Sequence, residues 1–141
     1  MKVELITDAR GTPVAVVVDA AHAAETDLCV VAIDHLPVTL PVPENTPLIY
    51  DRAADSDPLR DKLAKRNLRL VAPHRANRTK PSRNDGRTLR KYRRRYVVER
   101  TISWFHHYRR AAVRYDIKPS HYEGFVSLAC TMMVLNKVVV K

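Results

Sequence analysis

A chain of 141 residues is long enough for one domain with a real core and too short for two ordinary ones. With 45% hydrophobic and 28% charged residues its composition argues against disorder, and no apolar run reaches the roughly 18–20 residues that a membrane-spanning helix needs. The net charge of +10 is concentrated: Arg75 to Arg114 holds 14 Lys or Arg against Asp85 and Glu99, a segment charge of +12 that leaves −2 for the rest. Such a block is the footprint of a polyanion, because each cation set against a phosphate releases condensed counterions. Arginine dominates it, and the planar guanidinium suits bidentate phosphate contacts. Nucleic acid is therefore the expected partner, and a membrane surface is not. Met1 is followed by Lys2 and Glu4 without an apolar signal core, so the expected compartment is the cytoplasm. Cys29 and Cys130 lie in apolar stretches and read as buried thiols, not as a disulfide framework.

In chain order, Val3 to Thr7 reads as a strand, Asp8-Ala9-Arg10-Gly11 as a turn, and Val14 to Val18 as a second strand of a hairpin, covered on both faces. A short helix is expected from about Glu25. Pro37, Pro41, Pro43 and Pro47 exclude regular structure until a short strand at Leu48-Ile49-Tyr50, which ends at Asp51. Asp57-Pro58 reads as an N-cap and first helical position, with Leu59 and Leu63 facing inward and the helix running to about Asn67. Leu68 to Ala72 is a further strand, and 73–87 a basic loop. One long helix is expected from Thr88 to about Tyr115, and a more apolar one from Pro119 to about Lys137. Strands and helices in this order indicate one α/β domain over residues 1–141.

The long helix carries the informative spacing. At about 100° per residue, offsets of 3, 7 and 14 put Arg95, Glu99 and His106 within about 60° of Tyr92, on one stripe. Val98, Ile102 and Phe105 would then dock the helix on the sheet, and Trp104, Phe105 and Tyr108 read as core. Asp51 follows a strand, and the carboxyl ends of strands are where ligands collect in open α/β sheets. Asp51 opposed by Glu99 could hold Mg²⁺, which takes one or two carboxylates plus waters and substrate phosphates. Turn chemistry alone explains Asp8 and Asp19.

On these residues the sequence resembles the catalytic part of the DDE transposases of bacterial insertion sequences. That family's acidic helix carries Tyr, two residues, Arg, three residues, Glu, six residues, then Lys or His. Here the pattern stands as Tyr92, Arg95, Glu99 and His106 within YRRRYVVERTISWFHHYRR. LITDARGTPVAVVV resembles the hairpin after the first catalytic strand, IYDRAADSDPLR the segment of the second catalytic aspartate, and RYD…HYEGFVSLACTMMVL the closing helix. The resemblance implies an RNase H-like mixed sheet flanked by helices, and DNA transposition by metal-dependent strand cleavage and transfer with Mg²⁺ or, in its place, Mn²⁺. It makes Asp51 and Glu99 catalytic metal ligands, and gives Tyr92, Arg95 and His106 to DNA phosphates or support of the acidic site. Arg93 and Arg94 belong to the DNA-binding arginine block.

Two positions depart from the family. Ala54 stands where a tyrosine is usual, and the family's first aspartate lies on a strand ahead of the hairpin with which this sequence opens. The expectation is a C-terminal partial catalytic domain lacking the N-terminal strand, inactive alone. It would be completed by an upstream transposase polypeptide or work as a homo-oligomer. The alternative is a non-catalytic DNA-binding fragment that inhibits the full-length transposase.

Overall fold

The computed structural model describes residues 1–37 and 39–139. The chain opens with an antiparallel hairpin of β1 (Lys2–Thr7) and β2 (Pro13–Asp19), in register from Lys2↔Asp19 to Ile6↔Ala15 and shifted by a bulge at Thr7. The turn is built as its sequence predicts. The Asp8 carboxylate accepts the N–H groups of Arg10 and Thr12, both at 2.8 Å, and Gly11 takes the left-handed φ of +77°. Helix α1 (Glu25–Asp34) follows without a side-chain cap.

The parallel pair of β3 (Thr46–Ile49) and β4 (Leu68–Val71) is joined through a 3-10 turn (Arg52–Ala54) and α2 (Asp57–Ala64). Pro47 lies inside β3, not before it, where its missing N–H costs no cross-strand bond. The cap of α2 is Ser56, whose Oγ accepts the Leu59 N–H at 3.4 Å. Asp57, read as that cap, occupies the first turn and gives its carboxylate to Arg78 instead. Helix α2 ends at Ala64, three residues short of the expected limit at Asn67, which takes left-handed geometry (φ 60°).

The outer edge of β4 is closed by side chains. The backbone carbonyls of Val71 and Asn67 accept from Tyr50 and Thr46 on the β3 side, so Leu70 and Ala72 carbonyls face the other way. Arg60 Nη1 donates to Leu70 O at 3.1 Å and Nη2 to Ala72 O at 3.4 Å, and the Asn84 amide also donates to Ala72 O.

The expected single helix from Thr88 to Tyr115 is four segments: α3 (Gly86–Arg90), a 3-10 stretch (Lys91–Arg95), α4 (Tyr96–Phe105) and α5 (Arg109–Ala112). The 3-10 stretch coincides with the arginine run, five like charges in the six residues 90–95. Helix α6 (Pro119–Val139) closes the chain and buries Tyr122, Val126, Ala129, Cys130 and Met133, an i, i+4, i+7, i+8, i+11 stripe. No helix among the described residues is long and apolar enough to cross a membrane.

Two cores flank the hairpin. Val3, Leu5, Val16 and Val18 pack on Phe105 and the inner face of α6. Ile6, from the opposite face of β1, packs with Leu48 and Tyr50 on a cluster of Cys29, Ile33, Leu59, Leu63, Leu68 and Leu70. Leu28, Leu63, Val71 and Val126 are almost wholly excluded from solvent, and each contributes about 1.5–3 kcal/mol by the transfer of its side chain. Both thiols are buried and free, and burial pushes Cys29 up to about 12 and Cys130 to about 11.

Helix α4 docks through Val97, Thr101 and Phe105, one position round from the expected Val98–Ile102 face, and Ile102 is exposed. The reason is the hairpin tip. The buried Thr101 hydroxyl donates to the Gly11 carbonyl at 2.8 Å, which fixes the helix rotation. Trp104, read as core, is consequently turned outward and is 46% exposed.

Candidate functional site

Three of the expected site residues, Tyr92, Arg95 and Glu99, meet where the 3-10 stretch runs into α4. Arg95 Nη1 donates to the Tyr92 hydroxyl at 2.8 Å, and Arg95 Nε lies 3.2 Å from Glu99 Oε1. Tyr92, Arg95 and Glu99 thus form a continuous polar chain across the junction between two helix types. The ion pair is half-exposed, so by itself it is worth only about 0.3–0.5 kcal/mol. Its value is positional. The Tyr92 hydroxyl first, then the fields of Glu99 and Asp51, raise the Arg95 guanidinium above its ordinary value, so both carboxylates lie within its electrostatic reach.

Asp51 ends β3, whose pairing continues one residue further through Tyr50 N–H to the Val71 carbonyl. Its Oδ1 accepts the Ala53 N–H at 2.9 Å and so starts the 3-10 turn. Arg93 and Arg94 are exposed and engaged in no ion pair among the described residues. His106 is exposed, caps the end of α4, and touches none of Tyr92, Arg95 and Glu99; its ring lies against Phe105. From Glu99 onward the helix is unbroken, so His106 keeps the face of Glu99 but lies two turns, about 10 Å, further along the axis. Among the described residues no group of three His, Cys, Asp or Glu side chains gathers at metal-binding distance.

Two features escaped the sequence reading. One is a buried ionic knot around Asp55, whose side chain is 1% exposed. Asp55 Oδ1 accepts from Arg60 Nη2 (3.0 Å), His74 Nδ1 (3.0 Å) and Arg78 Nη1 (3.2 Å), and Oδ2 accepts the Arg75 N–H (2.9 Å). Burial alone would raise this carboxyl; the Arg75 N–H, Arg60 and His74 outweigh it and hold it well below the usual range. Arg78 also clamps Asp57 with Nη2, at 2.9 and 3.1 Å from its two oxygens. The knot ties the basic loop down onto α2, with Arg83 reaching Asp61 at 3.0 Å. The only signal for it was the acid cluster Asp55, Asp57 and Asp61 facing a basic loop some 20 residues later.

The other is Glu4, on the same face of β1 as Ile6, whose Oε2 accepts from the Tyr50 hydroxyl at 2.9 Å. Burial, with smaller contributions from Glu25 and Asp51, pushes Glu4 up to about 7. This bond links β1 to β3 next to Asp51, although neither strand pairs with the other.

The family profile described as a transposase DDE domain matches residues 1–134. A relative from Burkholderia cepacia, named as a transposase for insertion sequence element IS402, is 31% identical over 140 residues. That alignment takes in 96% of this chain and 63% of the relative's length. A relative from Brucella ovis, named for insertion sequence element IS6501, is 35% identical over 91 residues, covering 63% of this chain and 67% of the relative. No solved structure matches the chain. The Tyr92–Arg95–Glu99 chain, the hairpin and the greater part of α6 fall inside the matched span, and the protein belongs to the DDE transposase family.

Proposed function

We propose that this chain acts in DNA transposition as part of a DDE transposase catalytic domain, with Asp51 and Glu99 as its acidic pair. The observation that carries the reading is Arg95, hydrogen-bonded to Tyr92, paired with Glu99 and within the field of Asp51. Two carboxylates with spare oxygens are a hard, oxygen-only donor set that fits Mg²⁺ or Mn²⁺ completed by waters and substrate phosphates. When bound, such an ion supplies charge neutralisation at the reacting phosphate. In cleavage a water oxygen bonds to phosphorus as the bond to the element's 3′ oxygen breaks, and that oxygen leaves as a hydroxyl. In transfer the same hydroxyl bonds to a target phosphorus and displaces the next 3′ oxygen.

Arg95 is suited to hold a phosphate oxygen, and Tyr92 orients it. Arg93 and Arg94, free of ion pairs, supply sequence-independent backbone affinity. His106 would join them only by contacting DNA away from the Tyr92–Glu99 chain. We assign the fold as RNase H-like, with one more strand belonging between β1 and β3. In support, each of these strands is paired on one side alone among the described residues. That strand would bring a third carboxylate to Asp51, from an upstream polypeptide or another copy.

The test is nicking and strand transfer on the element's own end sequences with Mg²⁺ or Mn²⁺, with and without upstream polypeptide. Glu99→Gln should abolish cleavage and leave DNA affinity within about twofold. Cleavage that survives in Glu99→Gln would overturn the assignment. A second reading, a DNA-binding inhibitor without catalysis, rests on the arginine block, where Arg93 and Arg94 are exposed and engaged in no ion pair among the described residues. Binding without cleavage even after upstream polypeptide is added would select it.

A further inference from the structure

Away from the acidic pair, α4 presents a row of three exposed or half-exposed side chains at i, i+4 and i+8: Tyr96, Arg100 and Trp104. Tyr96 is 58% exposed and Trp104 46%. The Arg100 guanidinium lies 5.6 Å from the Trp104 ring centroid, and Lys137 Nζ, arriving from α6, lies 5.8 Å from the same ring. Lys137 is held there by donating to the Arg10 carbonyl of the hairpin tip at 2.9 Å. Both cations lie over the Trp104 ring near the roughly 6 Å limit of cation–π contact, and the side chain is still 46% exposed.

A large aromatic is left half in water, with two like charges brought to one ring where each gains a cation–π contact. Burial first, and then repulsion from Arg100, hold the Lys137 ammonium below its ordinary value although Asp8 pulls the other way. Polar hairpin tips and exposed helices do not need such a group for folding, since α4 is already docked by Val97, Thr101 and Phe105. A flat π-face with cations in reach is the chemistry that takes a nucleobase with its phosphates: the ring stacks, and the cations meet the backbone. At 1.5 Å per residue, Tyr96 and Trp104 are about 12 Å apart along α4, a span that an extended strand covers in about two nucleotides.

We propose that Tyr96, Arg100 and Trp104, with Lys137, form a stacking track for unpaired DNA. The track rests on the DNA-acting reading above and adds a preference for single strands over duplex, because paired bases hide their faces. It does not include the acidic pair, so strand binding there is separable from cleavage.

Trp104 is the single tryptophan of the chain and therefore its own reporter. The experiment titrates the full chain with an end-labelled, unpaired oligonucleotide of about 12 nucleotides, reading label anisotropy and tryptophan emission together. Inorganic polyphosphate and the matching duplex serve as controls. The expected result is saturable quenching on the same curve as the anisotropy, with no quenching by polyphosphate and less by duplex. Trp104→Ala should weaken single-strand binding by about 5- to 100-fold, the usual loss for one stacked base. Trp104→Phe should restore most of it. Oligonucleotide that binds by anisotropy without changing the emission would overturn the track and leave the DNA reading standing. No binding in either channel would overturn both. Emission that responds to protein concentration alone, and not to oligonucleotide, would overturn the track in favour of a second copy on this face.

Discussion

Replacing Asp55 by Asn tests whether the basic loop owes its place to one buried carboxylate. The exchange keeps the shape and removes the charge. Four donors converge on the two oxygens of Asp55, and an amide offers one oxygen and one NH₂. If the oxygen faces Arg60, His74 and Arg78, the NH₂ confronts the Arg75 N–H; in the other orientation three donors are lost. Either way the buried Arg60 guanidinium has no counter-charge beside it. Breaking such a pair costs about 3–5 kcal/mol. Arg60 keeps the Leu70 and Ala72 carbonyls and the Asn84 side chain, which places the loss near the lower figure, about 3 kcal/mol. With a urea slope of about 2 kcal/mol/M the midpoint should fall by about 1.5 M. The folded carboxyl is depressed, so its contribution is present above the ordinary aspartate value and lost as the pH falls below it. The wild-type chain should therefore lose stability below about pH 4 more steeply than the Asn variant does. Trypsin should also cut faster between Arg75 and Arg83 in the variant. A midpoint shift under about 0.3 M with unchanged cleavage in that loop would refute the reasoning.

Glu4 gives the opposite sign. Its folded value of about 7 stands above the ordinary 4.5, so the folded chain keeps a proton that the unfolded chain has released across that window. Stability should decline from pH 4.5 to 7 by up to roughly 3 kcal/mol, and Glu4→Gln should flatten the decline; urea midpoints at pH 5 and pH 8 measure it. Gly11→Ala places a Cβ 2.6 Å from Thr101 Oγ1 in left-handed backbone, and should lower stability by at least about 2 kcal/mol. Thr101→Ala in the same chain should relieve the steric part but not the backbone part, as read by thermal melts. Arg93→Ala with Arg94→Ala should reduce the salt dependence of DNA affinity by about 1.8 in log–log slope, and an unchanged slope would remove both from the interface.

The local chemistry of this chain was legible wherever one segment decides the outcome. Asp8 and Gly11 specify their turn within four residues, and the α6 stripe follows from its own periodicity. The Tyr92–Arg95–Glu99 spacing survived the change of helix type because its i, i+3 pair falls in the 3-10 stretch, where such residues eclipse, and its i, i+4 pair runs into α4. His106 lies two turns beyond Glu99, and a shared face does not bring side chains that far apart into contact. The rotation of α4 was hidden because Gly11, 90 residues away in sequence, sets it through Thr101. The Asp55 knot was hidden for the same reason: its acid lies about 20 residues from its bases, which read by themselves as a basic loop.

The plugged carbonyls of Leu70 and Ala72 bear on how copies of this chain could join. An endless ribbon of strands needs two receptive sides on every unit, one to give and one to take. In the β3–β4 pair Arg60 and Asn84 occupy the side beyond β4, leaving β3 alone receptive. Strand exchange through this pair therefore terminates after one addition, whether that is a completing segment or a second molecule meeting β3 to β3. The same two side chains that steady the sheet also keep this pair from polymerising.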